Sequence, residues 1–426
     1  MLLPQNPINR WWSVLAGALG TATGAGVLVI YAFGIFGKGM LAEYDWSRSV
    51  YSYAVTSFMV ASGVGSVWLG FLIARYGIRL PAFLAVAAFT FAVAVIAILP
   101  PSPVLLYTLF AIIGITGSAA TAMPYAIAIS GWFDRQRGLA LGLVNVGAGF
   151  GSALTPQIAS WLDRAYGWQA SFAIIGVLYG SIAMLALILL VREPRRESSA
   201  LTSGTLKQPA ARFSFIGDKD FWLIGVPMLG ISVVTIGLLG SIVPLLSDRG
   251  MDSIAISMAL SVAGACSWIS RVAVGYAMDR ASAPYVAAVT FALALAGVAL
   301  LALANDTFLA VLGAALIGIA LGAEGDLITF LVSRYFSAEI YSKALGTMWI
   351  AWAWGGGIGS YVVGSSFEST GSYALALWTF SAVLVISAIV VCLLGPYRYP
   401  PATHHSDAGS LDLSAGDAAT QPNERM

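Results

Sequence analysis

Apolar runs long enough to cross a bilayer recur along this chain, and no other feature limits its fold so strongly. They fall at about 12–37, 50–74, 80–99, 104–131, 139–162 and 170–191, then at about 220–246, 254–279, 284–304, 308–334, 343–367 and 372–395. A spanning helix needs about 20 mostly apolar residues. The pattern therefore predicts an all-α polytopic membrane protein with about twelve transmembrane helices in two sets of six. Composition agrees: 10% of the 426 residues are charged, against roughly 25% in soluble domains. A soluble fold built from this chain would have no surface to offer water.

The runs divide the chain into a six-helix bundle over 1–191, a linker over 192–219, a second bundle over 220–396 and a tail over 397–426. "VREPRRESSA" opens the linker, and the tail is rich in Ser, Asp, Ala and Gly, a composition that predicts disorder. The first run, from Trp11 to Gly37, is too long for the apolar part of a cleaved signal. It reads as the first spanning helix.

Sixteen of the 21 Lys and Arg residues fall in one set of loops and four in the other, with Arg271 inside a span. The excess of positive loops marks the cytoplasmic side, so both termini are expected there. Short loops and the lack of a signal point to a bacterial inner membrane. A net charge of +1 with no basic stripe gives nucleic acid no footing. Both histidines, His404 and His405, lie in the tail, and both cysteines, Cys266 and Cys392, lie in apolar runs. No metal site, cofactor or nucleophile–base pair is expected, hence no enzyme. A monomer is expected.

The halves repeat. "GWFDRQRGLALG" (131–142) matches "RYFSAEIYSKALG" (334–346), and "GFLIARYGIRLP" (70–81) matches "GYAMDRASAP" (275–284). Two parallel six-helix repeats are the layout of one transporter class, with substrate near the midplane between them. Gly70, Arg75, Gly77 and Arg79 resemble the loop 2–3 signature of the major facilitator superfamily, with Ala74 where that signature has Asp. Gly275, Asp279 and Arg280 keep the Asp in the second half. These seven positions are candidate gating-loop residues.

"YDWSRSVYSYA", "LGAEGDLITFLVSRYF" and Ser270-Arg271 followed by Gly275 and Asp279 resemble the monocarboxylate and oxalate/formate branch. That resemblance implies that Arg271 binds a substrate carboxylate. The chain has Ser267 where some members carry an Asp, Trp352 at the position of a second cation and Ile35 at that of a helix-1 lysine. A monoanion is therefore better supported than a dianion.

The charges at depth lead to the same place from physics alone. Arg271 lies eight residues before Asp279, and Glu324 and Asp326 lie ten and eight before Arg334. At 1.5 Å per residue these groups sit about 12–15 Å in from one membrane face. An ion at bilayer depth costs at least about 2.5–3.5 kcal/mol on insertion scales, so it faces a partner or a water-filled space. A guanidinium keeps its proton and grips a carboxylate with two parallel hydrogen bonds. Glu324 or Asp326 is a candidate counter-ion, or a carrier of a coupling proton, because leaving water disfavours a carboxylate's charge. The competing reading is a permanent Arg–acid pair that ties two helices.

Tyr31, Tyr125 and Asn145 are polar-tipped residues within apolar helices and further candidates to touch substrate. Trp349 and Trp352, at i and i+3, share one helix face and are candidates to wall a pocket. The runs "GTATGAG", "GAGFG" and "GGGIG" lack the strand-loop-helix setting of a phosphate loop and read as close helix contacts. Pro124 and Pro156 are expected to kink their helices. The function expected is secondary transport of a small carboxylate by alternating access, with a coupling proton or anion. An exporter of drugs or other hydrophobic solutes, or a non-transporting membrane sensor, are the alternatives.

Overall fold

The computed structural model describes residues 8–98, 100–134, 136–191 and 214–399. Residues 192–213 of the expected linker and 400–426 of the expected tail lie outside the described residues, as does Arg135.

Among the described residues, twelve helices follow the twelve runs. α1 (8–43) comes in pieces: Ile8–Ala22, then Ala25–Val27, a π-helical turn Leu28–Ala32 and Phe33–Glu43. α2 is Arg48–Tyr76 and α3 is Arg79–Val95. α4 (103–132) is Pro103–Gly117, a 3₁₀ turn Ser118–Ala120 and Ala122–Trp132. The helical stretch Arg137–Leu189 bends at Gly167, whose φ of 73° and ψ of 167° are not helical. That position separates α5 (137–166) from α6 (168–189). The second half holds α7 (Lys219–Ser247), α8 (Ser253–Arg280), α9 (Ala283–Leu303), α10 (Thr307–Tyr335), α11 (Ala338–Thr370) and α12 (Ala374–Cys392).

Hydrocarbon offers backbone groups no water to bond, which leaves helices and closed barrels, and runs of about 20 residues or more fit helices rather than barrel strands. Large apolar side chains cover the outer surface, with Phe91 72% and Trp378 76% exposed, as side chains facing lipid tails should be. The two interrupted helices of the first half break side by side. α1 breaks at Thr23–Gly24, and α4 at Ser118–Thr121, with Gly24 packed against the carbonyl of Ala120. Thr121 is extended and accepts from Met123 N, which caps the second piece of α4. The interruption thus comes just before Pro124, whose ring could not continue an unbroken helix without losing a bond. Pro156 lies within α5.

Small residues set how closely helices approach. On α5, Gly138, Gly142, Asn145 and Gly149 form one stripe at i, i+4, i+7 and i+11. Gly138 meets the carbonyl of Gly275, Gly142 that of Arg271, and Gly149 the indole of Trp268. Gly275, Arg271 and Trp268 are the matching stripe on α8. The two halves therefore meet along α5 and α8. They meet again along α2 and α11, where Gly70 abuts the Ser342 carbonyl and Gly346 the Ser66 carbonyl.

Within the first half, Gly147 and Gly151 press α5 onto the α1 backbone at Ala18 and Ala22. A valine at Gly147 would have to displace backbone, and overpacking of this kind costs roughly 1–3 kcal/mol. At Gly357 an added methyl meets nothing within 4 Å. Gly147→Val should lower the melting temperature of the detergent-solubilised protein by several degrees, and Gly357→Ala should leave it unchanged or slightly raised.

Candidate functional site

The α5–α8 stripe places Arg271 on the face that meets the other half, not on the lipid face. Arg271 is half-buried, and its Nε is covered and without a hydrogen-bond partner. No ion pair within 4.0 Å joins it to either α10 acid, although its charge is felt by both. The permanent Arg–acid pair of the competing reading is thus not formed.

The two acids diverge. Two residues along a helix is about 200° of rotation, so they leave α10 on opposite faces. Glu324, 2% exposed, points into its own half. Its Oε2 lies 2.8 Å from Thr235 Oγ1 of α7, and its Oε1 accepts from Trp352 Nε1 of α11 at 2.6 Å. Asp326, with no exposed surface, points to the other half. Its Oδ1 accepts from Asn145 Nδ2 of α5 at 2.5 Å, while Oδ2 is buried without a partner.

The remaining candidates separate into two sets. Trp349 and Trp352 meet edge to face with centroids 5.1 Å apart, and the Trp349 Nε1 is covered and unpartnered. Tyr125 is fully buried against Gly17 and Gly20 of α1, and its hydroxyl has no partner either. Tyr31 lies in the π turn of α1 and is 41% exposed. No hydrogen bond joins it to the Arg271 group.

A second group lies at the end of the bundle where the chain enters α1 and leaves α12. Asp279 Oδ1 and Oδ2 accept from the backbone N–H of Gly138 and Leu139 at 2.8 and 2.9 Å. These are orphan donors of the first turn of α5, capped here by a side chain from the opposite half. Arg334 donates to the Asp134 carboxylate and carbonyl, each at 2.6 Å. Arg137 donates to Ser333 Oγ at 2.9 Å, and Ser130 bonds Tyr341 at 3.1 Å. A cavity of about 350 Å³ lies among Ser130, Asp134, Arg137, Arg334, Tyr341 and Tyr399. At the far end the described loop contacts stay inside one half: Trp168 to Glu43, Gln169 to Tyr44, and Tyr373 to Asp248.

The other gating-loop candidates hold local structure. Gly77 ends α2 at φ 83°, where a β-carbon would be strained. Arg79 donates to the Val191 carbonyl at 2.6 Å from Nη2, and Arg75 and Arg280 lie over the rings of Tyr76 and Tyr276. The charged ties Asp134–Arg334 and Arg137–Ser333 were not among the residues expected from sequence. Their signal was present, since Asp134 lies within the first copy of the repeated motif and Arg334 opens the second.

Just beyond α12, Arg398 donates to Asp218 at 2.9 Å and pairs with Asp220 at 2.6 Å. Burial pushes the Asp218 carboxyl up, but bonds from Arg398 and from Asp220 N outweigh it and hold the group below its usual value.

A sequence profile of the Major Facilitator Superfamily matches residues 14–360, and again 230–421. The chain belongs to the Major Facilitator Superfamily. Among curated relatives, monocarboxylate transporter 13 of Rattus norvegicus is 24% identical over 90% of this chain and 88% of its own length. Monocarboxylate transporter 4 of Gallus gallus is 25% identical over 95% and 88%. The riboflavin transporter RibJ of Trypanosoma brucei brucei is 40% identical, but over only 23% of this chain and 18% of its own. Against several other relatives the chain spans 40–62% of their length. In structure it is similar to the human organic anion transporter MFSD10, with a TM-score of 0.72 at 15% identity, covering 91% of this chain and all of that one. The proton:xylose symporter XylE also scores 0.72, at 16% identity, covering 92% and 97%. At such identities the likeness is one of fold. The chain is a transporter-family membrane protein and not an enzyme.

Arg334 is buried but the Asp134 side chain is 39% exposed, so the loss on breaking their tie is that of hydrogen bonds to charged groups, roughly 1.5–3 kcal/mol. In a protein with Cys266 and Cys392 replaced by serine, a cysteine at buried Ser342 should react slowly with maleimide. Adding Asp134→Ala and Asp279→Ala should speed that reaction by about tenfold or more. An unchanged rate would mean that these contacts do not hold this end shut.

Proposed function

We propose that this protein is a secondary active transporter of a small organic anion, most consistent with a monocarboxylate, working by alternating access. The observation that carries this reading is Arg271: a guanidinium at membrane depth, on the face between the halves, with a covered and unpartnered Nε and, among the described residues, no carboxylate within ion-pair distance. A cation at membrane depth needs a partner or a water-filled space, and a substrate carboxylate would supply that partner in a two-point grip. The monocarboxylate transporters aligned over most of the chain support the same class.

In this reading the Asp134–Arg334, Arg137–Ser333 and Asp279–α5 contacts close the terminal end, and the protein stands closed there. The Lys and Arg bias makes that end cytoplasmic, so the site would be reached from outside in this state. Tyr125, Asn145, Trp349 and Trp352 supply neutral donors and an aromatic wall. Tyr31 belongs to the α1 face nearer the far end. Asp326, with one oxygen tied across to Asn145 and the other open, is the carboxylate placed to exchange a proton or a partner as the halves move. Opening the cytoplasmic end would break the latch contacts and the Asn145–Asp326 bond together. The protein acts as a monomer in a plasma membrane, and it uses no cofactor or metal.

A ligand that binds only the folded protein raises its melting temperature. Small monocarboxylates should do so here, and Arg271→Gln should abolish the shift and reduce uptake by about a hundredfold, the loss expected of a charged two-point contact. If bulky apolar solutes raise the melting temperature and no carboxylate does, the exporter reading takes its place.

Asp326→Asn keeps the bond to Asn145 but removes the charge. It should leave folding intact and flatten the pH dependence of uptake. A pH profile identical to that of the unmodified protein would remove Asp326 from coupling.

A further inference from the structure

The single hydroxyl hydrogen of Thr235 can be placed in two ways around Glu324, and burial decides between them. Thr235 has one hydroxyl hydrogen, yet its oxygen lies 2.9 Å from the Ile231 carbonyl and 2.8 Å from Glu324 Oε2. The bond to the carbonyl four residues back is the habit of a threonine inside a helix. If Thr235 spends its hydrogen there, its oxygen can only accept, and Glu324 must donate. The opposite assignment, Thr235 O–H to Oε2, leaves an ionised carboxylate, 2% exposed, with two neutral donors, Thr235 Oγ1 and Trp352 Nε1, and no described cation within 4.0 Å to balance its charge. An isolated buried carboxylate is among the costliest groups a protein can hold. The neutral acid satisfies every atom: Trp352 N–H to Oε1, Oε2–H to Thr235 Oγ1, Thr235 O–H to Ile231 O.

We infer that Glu324 is a permanently protonated positioning residue that holds the Trp352 indole, and with it the aromatic wall, and takes no part in proton coupling. The inference deepens the transport reading above and rests on it for the wall's role. Around Trp352 the supports converge on one orientation. Ser232 of α7 donates to its backbone carbonyl at 2.8 Å, and Trp349 packs edge to face against its ring. Every bond to the Glu324 carboxyl comes from the second half, so rocking of the halves leaves this unit whole. Asp326 differs on each count, since it bonds across the halves and keeps one oxygen open. The group whose charge reaches Glu324 is Arg271 of α8, without an ion pair, and Asp326 leaves α10 on the opposite face. The partners on α7 and α11 are neutral.

Glutamine copies the neutral acid atom for atom: its carbonyl accepts from Trp352 and its N–H donates to Thr235. Alanine supplies neither. In carboxylate uptake, Glu324→Ala should raise KM about tenfold, the loss of a buried polar support. Glu324→Gln should restore KM and keep the original pH profile. Infrared spectra of the unmodified protein minus Glu324→Gln, recorded in acidic and in alkaline buffer, give a readout free of substrate. The carboxyl carbonyl band that disappears in Glu324→Gln should have the same intensity at both pH values. A band that changes with pH, or a Glu324→Gln protein whose uptake no longer responds to pH, overturns the inference. If uptake is never found for any carboxylate, the transport reading fails, and the infrared band still decides the state of Glu324.

Discussion

Everything in this protein is organised by the lack of water in the hydrocarbon layer. A backbone N–H or carbonyl left open there costs several kcal/mol, so each departure from helix has to be covered by another part of the chain. The break of α1 at Thr23–Gly24 sits against the break of α4 at Ser118–Thr121, and the hydroxyl of Thr121 takes up a donor that the break frees. The first turn of α5 finds its acceptor in Asp279, a residue of the other half. Irregular backbone and the meeting of the halves are therefore one problem with one solution. The discontinuities lie where the halves or the α1–α4 pair can cover them.

The contact between halves is made by glycine on one side and carbonyls on the other. Gly138 with Gly275, and Gly70 with Ser342, bring backbones to a distance that no β-carbon would permit. Such surfaces gain their energy from close packing over a small area. Charged ties add direction to this packing. Arg334 to Asp134 and Arg137 to Ser333 gather at the end that carries the termini, whereas the described far-end contacts remain inside each half. This asymmetry gives the alternating-access reading its physical content.

The mid-membrane polar groups illustrate how spacing along a helix assigns work. Glu324 and Asp326 are neighbours in sequence and sit at similar depth, which suggested a shared role. Two residues of helix turn them apart, one toward α7 and α11 and the other toward α5. One acid has both oxygens engaged within its own half, and the other spans the halves with an oxygen to spare. The i, i+2 spacing carried that signal, since such residues do not share a helix face. Which face met which neighbour was not available from periodicity, because α10 is apolar all round.

From the sequence alone came what depends on counting: twelve apolar runs, the repeat of two halves, the depth of Arg271, Glu324 and Asp326, and the pairing of Trp349 with Trp352 on one face. These are one-dimensional quantities, set by helix rise, helix turn and the thickness of the bilayer. Only the tertiary structure decided who meets whom. It placed Arg271 out of ion-pair reach of both acids, gave Asn145 of one half to Asp326 of the other, and set Asp279 over the start of α5. It also recruited Thr235 and Arg137, which look unremarkable along the chain. Partner choice across a helix interface depends on crossing angle and rotation about each axis, and in helices apolar on every face no hydrophobic stripe records either.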